Sequence, residues 1–305
     1  MASLKQHLED RLLTAIKPGS KVYFIDYPVY GNVGDILIAK GTEAFFRTYG
    51  IKVLGRASML NYCFPPTAPD CTLVLQGGGN FGDLYQTHQA LREQVVARFP
   101  DRRVVVLPQT IHFQSGDRLD ASAGIFRKHP DLHLFVRDER SRAYAERFTD
   151  NVVLCPDMAT ELWPISSREP PEYPTLYLLR SDCEAAASQP GFSGNNIKDW
   201  NTLLGGIDRH LIRYLRKMHK LDRVTGNSVL NVYRYWRIYT DWLVRRVVKE
   251  FSRYEEIVTS RLHGHILACL MGKTNYLLDN SYGKNYSYYQ AWTRIVPYAH
   301  CGRKI

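Results

Sequence analysis

Short, nearly continuous apolar runs alternate along this chain with segments of helical length, and that alternation restricts it to a parallel α/β architecture. The runs Lys21–Tyr27, Ile51–Leu54, Cys71–Gln76, Arg103–Leu107, Leu132–Arg137 and Asn151–Cys155 are rich in β-branched residues, and most lack the in–out alternation of a sheet with one wet face. Strands covered on both faces read this way, because helices shield both sides of a parallel sheet. Between the runs, Ile36–Tyr49 and Gln86–Phe99 carry apolar residues at helical spacing. Such repetition implies a doubly wound sheet, whose ligands gather beyond the carboxyl ends of the strands.

The segment Trp163–Pro174 (WPISSREPPEYP) interrupts the pattern with four prolines and reads as a linker. A second α/β unit follows, with strands expected at Thr175–Leu179, Glu256–Ser260 and Asn275–Leu278, a helix at His265–Met271, and a Gly/Ser/Asn-rich loop at Gln189–Asn196. The expectation is two Rossmann-like domains, residues 1–168 and 169–305, with an interdomain cleft. That layout resembles the glycosyltransferases of the GT-B type. The first twenty residues carry an amphipathic helical pattern without the apolar core of a signal peptide, and no run approaches the ~20 apolar residues of a membrane span. The six cysteines show neither a CxxC pair nor a metal-binding spacing with histidine. A cytoplasmic protein with reduced thiols and no metal is expected.

A net charge of +10 calls for anionic company. No arginine-rich tail or nucleic-acid signature accompanies it, so an anionic small molecule or a membrane surface is favoured over nucleic acid. Between Asp208 and Arg253 the chain holds twelve Lys/Arg against four Asp/Glu, interleaved with tyrosine and tryptophan. One reading is a long helix with a packed aromatic side and a solvated basic side. The other is a surface that rests on anionic lipid or holds an acidic saccharide, and the two are compatible.

Three segments carry chemistry. Gly31-Asn32-Val33-Gly34-Asp35 joins a strand to a helix, where backbone N–H groups are available; its spacing is neither a dinucleotide fingerprint nor a Walker A loop. Asp35 reads either as a cap or as a carboxylate that binds or deprotonates sugar hydroxyls, with Asn32 and Gly34 on the same acceptor side. Gln76–Asp83 (QGGGNFGD) places Gly78, Gly79, Asn80 and Asp83 after a buried strand. It reads either as a turn needing positive φ or as a ligand-contacting loop with a second carboxylate.

The third, Ser260-Arg261-Leu262-His263-Gly264-His265, joins a guanidinium suited to carboxylate or phosphate with an imidazole that can serve as an acid. His265 lies on another side of the helix and reads as structural. Arg180, closing a strand of the same unit, is the partner expected for Arg261; Lys284 and Asn285 are candidates for phosphate contact. Arg137 precedes Asp138 and Glu139, so a local ion pair is expected of it.

GNVGD at 31–35, LQGGGNFGD at 75–83, VRDERS at 136–141, SRLHGHILA at 260–268 and LDNSYGKN at 278–285, with Trp292 behind them, occur in one order over nearly the whole chain. In this ordered set the chain resembles the polysaccharide pyruvyl transferase family, nearest its exopolysaccharide branch. The resemblance implies a GT-B-like fold, phosphoenolpyruvate as co-substrate, and a polysaccharide or lipid-linked oligosaccharide acceptor; peripheral contact with the cytoplasmic face of the inner membrane is the expectation that the basic, aromatic stretch adds. It implies that Arg261 and the Leu262 backbone bind the donor's carboxylate and phosphate, and that His263 protonates the enol. The acceptor side, Asp35 and Asp83, is less closely set by the family pattern. The rival readings are a GT-B glycosyltransferase using a nucleotide sugar and a non-catalytic anion- or glycan-binding protein. Against the first, His265–Lys273 holds no acid to grip a ribose.

Overall fold

A computed structural model describes residues 1–64, 68, 70–167, 169–181, 197–225, 231–280 and 283–302. Within these residues the chain forms two parallel sheets with helices packed on them. After α1 (Ala2–Leu12) come β1 (Lys21–Ile25), α2 (Val33–Thr48), β2 (Lys52–Ala57), β3 (Cys71–Leu75), β4 (Gly78–Gly82), α3 (Gln86–Arg98), β5 (Val104–His112), α4 (Gly116–Phe126), β6 (Leu132–Val136), α5 (Glu139–Ala145) and β7 (Val152–Leu154). The 3-10 helix Met158–Leu162 leads to the second sheet: β8 (Tyr173–Leu178), β9 (Ile197–Lys198), α6 (Trp200–Leu203), α7 (Gly206–Val224), α8 (Val232–Ser252), β10 (Tyr254–Thr259), α9 (Leu262–Leu270), β11 (Thr274–Leu277), α10 (Lys284–Ala291) and β12 (Ala299–Cys301).

The first sheet runs β2-β1-β3-β5-β6-β7, with β4 paired to the far half of β5; the second runs β12-β11-β10-β8-β9. Every pairing is parallel. The strand order reverses between β1 and β3 in one sheet and between β8 and β10 in the other. Crevices open at such reversals, because the adjoining crossovers leave in opposite directions.

The apolar runs behave as their composition requires: eight of the nine residues of β5 are buried. Helix α9 (LHGHILACL) buries eight of its nine residues. An element buried on nearly every side has no broad solvent face to present, so α9 sits in the centre. Truncating Leu267, 0% exposed there, to alanine removes about 2–5 kcal/mol. One buried cluster runs from Val22 and Phe24 of β1 through Phe45 of α2 to Ile266 and Leu267 of α9 and Leu277 of β11, joining the two sheets.

Several expectations change. The glycine run expected as a loop forms strand β4 over Gly78–Gly82. The basic aromatic stretch is two packed helices, α7 and α8, rather than one long one. The proline-rich stretch is tied down: Ile165 N–H donates to the Leu270 carbonyl (3.0 Å), and Glu172 and Tyr173 N–H groups donate to the Arg253 carbonyl. The loop Gln189–Asn196 lies outside the described residues. Among the described residues no helix is long and apolar enough to cross a membrane. The five described cysteines are unbridged.

Candidate active site

Both sheet reversals open on the same cavity, about 350 Å³ in volume. Tyr30, Asn32 and Asp35 reach it from the β1–α2 connection, and Gly79 and Asn80 from β4. Arg180 follows β8, Arg261–His263 follow β10, and Lys284 opens α10. Arg261 and His263, expected to face a gap between two units, both line this cavity.

Arg261 is 6% exposed, and its Nε and Nη2 each donate to the Asp199 carboxylate at 2.7 Å. The sequence suggested a fork open to ligand; instead one edge is committed to a carboxylate inside the protein. Asp199 also accepts from Ser181 Oγ (2.6 Å) and Trp200 N–H (2.7 Å). Burial opposes its charge, but the hydrogen bonds from Arg261 and Ser181 outweigh it and hold the carboxyl below its usual range. The pair positions the guanidinium as a rigid charge at the cavity wall.

Arg180 and Lys284 are 8% and 7% exposed and line the same cavity. Asn285 does not reach it: its amide donates to the Ser260 and Leu278 carbonyls, both at 2.9 Å, tying α10 to the ends of β10 and β11. Arg137 overturns its expectation. Asp138 turns away to cap α5, accepting from Ser141 N–H at 2.8 Å, while the Arg137 guanidinium enters the cavity wall and pairs with Asp157. Its Nε donates to Thr110 Oγ1 (2.8 Å), and its carbonyl accepts from Trp292 Nε1 (2.8 Å).

His263 sits between two surfaces. Its Nε2 lies 3.4 Å from Asp157 Oδ2, within ion-pair reach though outside hydrogen-bond geometry. Asp157 is wholly buried and accepts from Ala159 N–H at 2.9 Å. Burial alone raises a carboxyl, but His263 and Arg137 hold this one well below the usual carboxylate range. On its other side the imidazole presses on α2: a Cβ on Gly34 would lie 2.7 Å from His263 Nδ1. Gly34 therefore does not line the cavity; it is the bare backbone on which the ring lies. His265 is structural as expected, with Nε2 2.8 Å from Thr293 Oγ1 and burial lowering its pKa to about 4.

On the acceptor side Asn32 caps α2, accepting from Gly34 N–H at 3.0 Å while still lining the cavity. Asp35 occupies the first turn beside Tyr30, whose hydroxyl is pushed well above its usual range by burial and by the carboxylates Asp35 and Asp26. Gly79 lines the cavity, and a Cβ there would come within 3.2 Å of Arg137 Nη2 and 3.8 Å of Lys284 Nζ. Gly78, at φ 131°, backs onto Asp35 without lining the cavity. Asp83 is corrected: it accepts from the N–H groups of Gln114 and Ser115 at 2.9–3.0 Å, fastening the start of α4.

The sequence offered no signal for a further group here. His88, on α3, lines the cavity with Nδ1 2.8 Å from Asp26 Oδ2. Asp26 follows β1 directly at φ 72°, a costly conformation for a non-glycine residue and one that gathers at functional sites. Arg92, fully buried, stands 3.8 Å from Asp26 and donates to the Asn80 carbonyl (3.1 Å) and its side-chain oxygen. The cavity wall thus carries four cations (Arg137, Arg180, Arg261, Lys284) and two imidazoles against one carboxylate, Asp35.

Comparison with known proteins bears on this arrangement. The family model for polysaccharide pyruvyl transferase matches residues 32–282. A Bacillus subtilis (strain 168) protein named "Putative pyruvyl transferase EpsO" is 42% identical over 300 residues, spanning 97% of this chain and 92% of that one. "Pyruvyl transferase 1" of Schizosaccharomyces pombe is 27% identical over 303 residues, spanning 89% and 69% respectively. The crystal structure of an uncharacterized Klebsiella pneumoniae protein matches over the full length of both chains with a TM-score of 0.66 at 19% identity, a likeness of fold.

Proposed function

The chain belongs to the polysaccharide pyruvyl transferase family, and on that premise we propose that it transfers the pyruvyl group of phosphoenolpyruvate to two hydroxyls of a saccharide, forming a cyclic ketal and releasing phosphate. The observation that carries this reading is the cavity wall, where four cations and His263 converge with one carboxylate. Phosphoenolpyruvate brings up to three negative charges, and fixed cations in a water-poor cleft stabilise such charge far better than water does. The two-sheet layout is read as GT-B-like, with the phosphoenolpyruvate side on the second sheet.

His263 supplies a proton to the methylene carbon, leaving cationic character at C2. Asp157, ionised and 3.4 Å behind it, steadies the imidazolium before transfer. A first sugar hydroxyl adds at C2 and gives its proton to Asp35 or to the His88–Asp26 pair. The C2–O bond to phosphate then breaks, Arg137, Arg180, Arg261 and Lys284 balancing the departing charge, and the second hydroxyl closes the ketal. One C–H bond, two C–O bonds and one O–H bond on the released phosphate form, while the C=C π bond, the C2–O bond to phosphate and two hydroxyl O–H bonds break. Of the two hydroxyl protons, one replaces that spent on the methyl group and the other leaves with phosphate.

The test is phosphate release from phosphoenolpyruvate with a panel of aryl and lipid-linked glycosides. Turnover with at least one acceptor, lost by a factor of about 10²–10⁴ in His263→Ala, is expected. Release unaffected by His263→Ala, or a nucleotide sugar consumed instead, overturns the reading.

A further inference from the structure

Helices α7 and α8 pack side by side and leave a groove of about 820 Å³ on their outer face. Ile207, Leu211 and Tyr214 line it from α7, and Tyr235, Ile238 and Trp242 from α8. Their spacings, i, i+4, i+7 and i, i+3, i+7, make one stripe per helix. These are not core residues: Ile207 is 83% exposed and each of the other five is between 36% and 60% exposed. A contiguous exposed apolar strip of this kind marks an interaction surface.

The charge around it identifies the occupant. Arg213 and Lys217 of α7 and Arg234 and Arg245 of α8 are all exposed beside the stripes. The four acids of the pair are withdrawn or neutralised. Asp208 is buried, accepting from Arg246 at 2.7 Å, and Asp222 is buried, accepting from Asn61 at 3.0 Å. Asp241 pairs with Lys40 at 2.6 Å, and Glu250 with Lys198. The face presented outward is therefore apolar and aromatic along its middle and cationic along its flanks. A bilayer with anionic headgroups satisfies both, taking leucine, isoleucine, tryptophan and tyrosine at the headgroup boundary while the cations meet phosphate.

We propose that the α7–α8 groove is a docking surface for an anionic lipid bilayer. The opposite side of α7 holds the segment that leads into the cavity: Arg216 donates to the Val29 carbonyl (2.7 Å), and His219 lies 2.8 Å from Tyr27 Oη. Docking therefore sets the membrane about one helix diameter, roughly 10 Å, from the β1–α2 connection.

The test is flotation of the full chain with phosphatidylcholine vesicles, plain or containing roughly a third phosphatidylglycerol. Binding to the anionic vesicles alone is expected, weakening as salt rises from about 0.1 to about 1 M and the screening length falls from about 10 to about 3 Å. The variant Leu211→Glu/Ile238→Glu is expected to lose binding. The independent variant Arg213→Gln/Lys217→Gln/Arg245→Gln, which spares the apolar stripe, is expected to weaken it on the order of a hundredfold, at a factor of about five per cation near the surface. Unchanged melting and unchanged turnover of a soluble acceptor show that fold and cavity are intact. Absence of wild-type binding to anionic vesicles, or binding by both variants as strong as that of the wild type, overturns the proposal. So does a wild-type dimer in sedimentation that Leu211→Glu/Ile238→Glu dissolves, because a second copy then occupies the groove.

Discussion

Replacing Gly34 by alanine sets two effects of opposite sign against each other. Gly34 lies in the first turn of α2, and helix propensity alone favours alanine by up to about 1 kcal/mol. The added Cβ, however, would lie 2.7 Å from His263 Nδ1, 2.9 Å from Cγ and 3.0 Å from its Cβ. Ordinary contact between such atoms begins near 3.5 Å. The ring must therefore retreat by roughly 0.5–1 Å, away from α2, with Asp157 Oδ2 only 3.4 Å from its Nε2. Misplacing a catalytic group by about 1 Å costs on the order of 10²-fold in rate, or about 2.7 kcal/mol. The expected outcome of Gly34→Ala is a kcat for phosphate release lower by about 10², with a melting temperature unchanged or slightly raised. Gly116→Ala, at a helix start where nothing lies within 4 Å of the added atom, serves as control and leaves both unchanged. A Gly34→Ala enzyme that turns over within about twofold of wild type refutes the claim that this glycine exists to seat His263.

Three further outcomes test the assignments. Asp157→Asn keeps the shape and removes the charge behind His263; kcat is expected to fall by about 10² or more while KM for phosphoenolpyruvate changes little, and steady-state kinetics decide it. Asp83→Ala hands the Gln114 and Ser115 N–H groups to water; stability should drop by about 0.5–1.5 kcal/mol in urea titration, with kcat preserved, whereas a collapse of kcat restores an acceptor role for Asp83. Burial and the neighbouring Glu9 push Glu161 up to about 8, above its ordinary 4.5, so the folded state binds the extra proton. The stability this confers is complete below about pH 4.5 and is lost as pH rises to about 8, at no more than about 1.4 kcal/mol per pH unit. Glu161→Gln should flatten denaturation midpoints over that window.

Much of the site was legible because its chemistry sits in contiguous motifs at strand ends. Arg261, His263, Asp35 and Asn32 each follow a buried run and open a helix, so periodicity alone places them at the carboxyl edge of a sheet. Arg137 was misjudged because its sequence neighbours Asp138 and Glu139 offered a local partner. The fold instead spends Asp138 on capping α5 and brings Asp157 from twenty residues away. Asp83 looked like a ligand carboxylate for the reverse reason: its partners are backbone N–H groups of Gln114 and Ser115, which no local pattern reveals.

Sequence by itself determined the class of sheet, the strand ends, the cationic character and the identity of the Arg–Leu–His element. Each is a property of residues close in the chain, written in hydrophobic period or in adjacency. Only the tertiary structure decided which carboxylates stand behind the basic side chains of the cavity. It put Asp157 with His263 and Arg137, Asp199 with Arg261, and Asp26 with His88. It also laid Gly34 under an imidazole more than two hundred positions away. Those pairings arise where two sheets meet, and a buried charge takes whatever partner the packing brings within reach, at any distance along the chain.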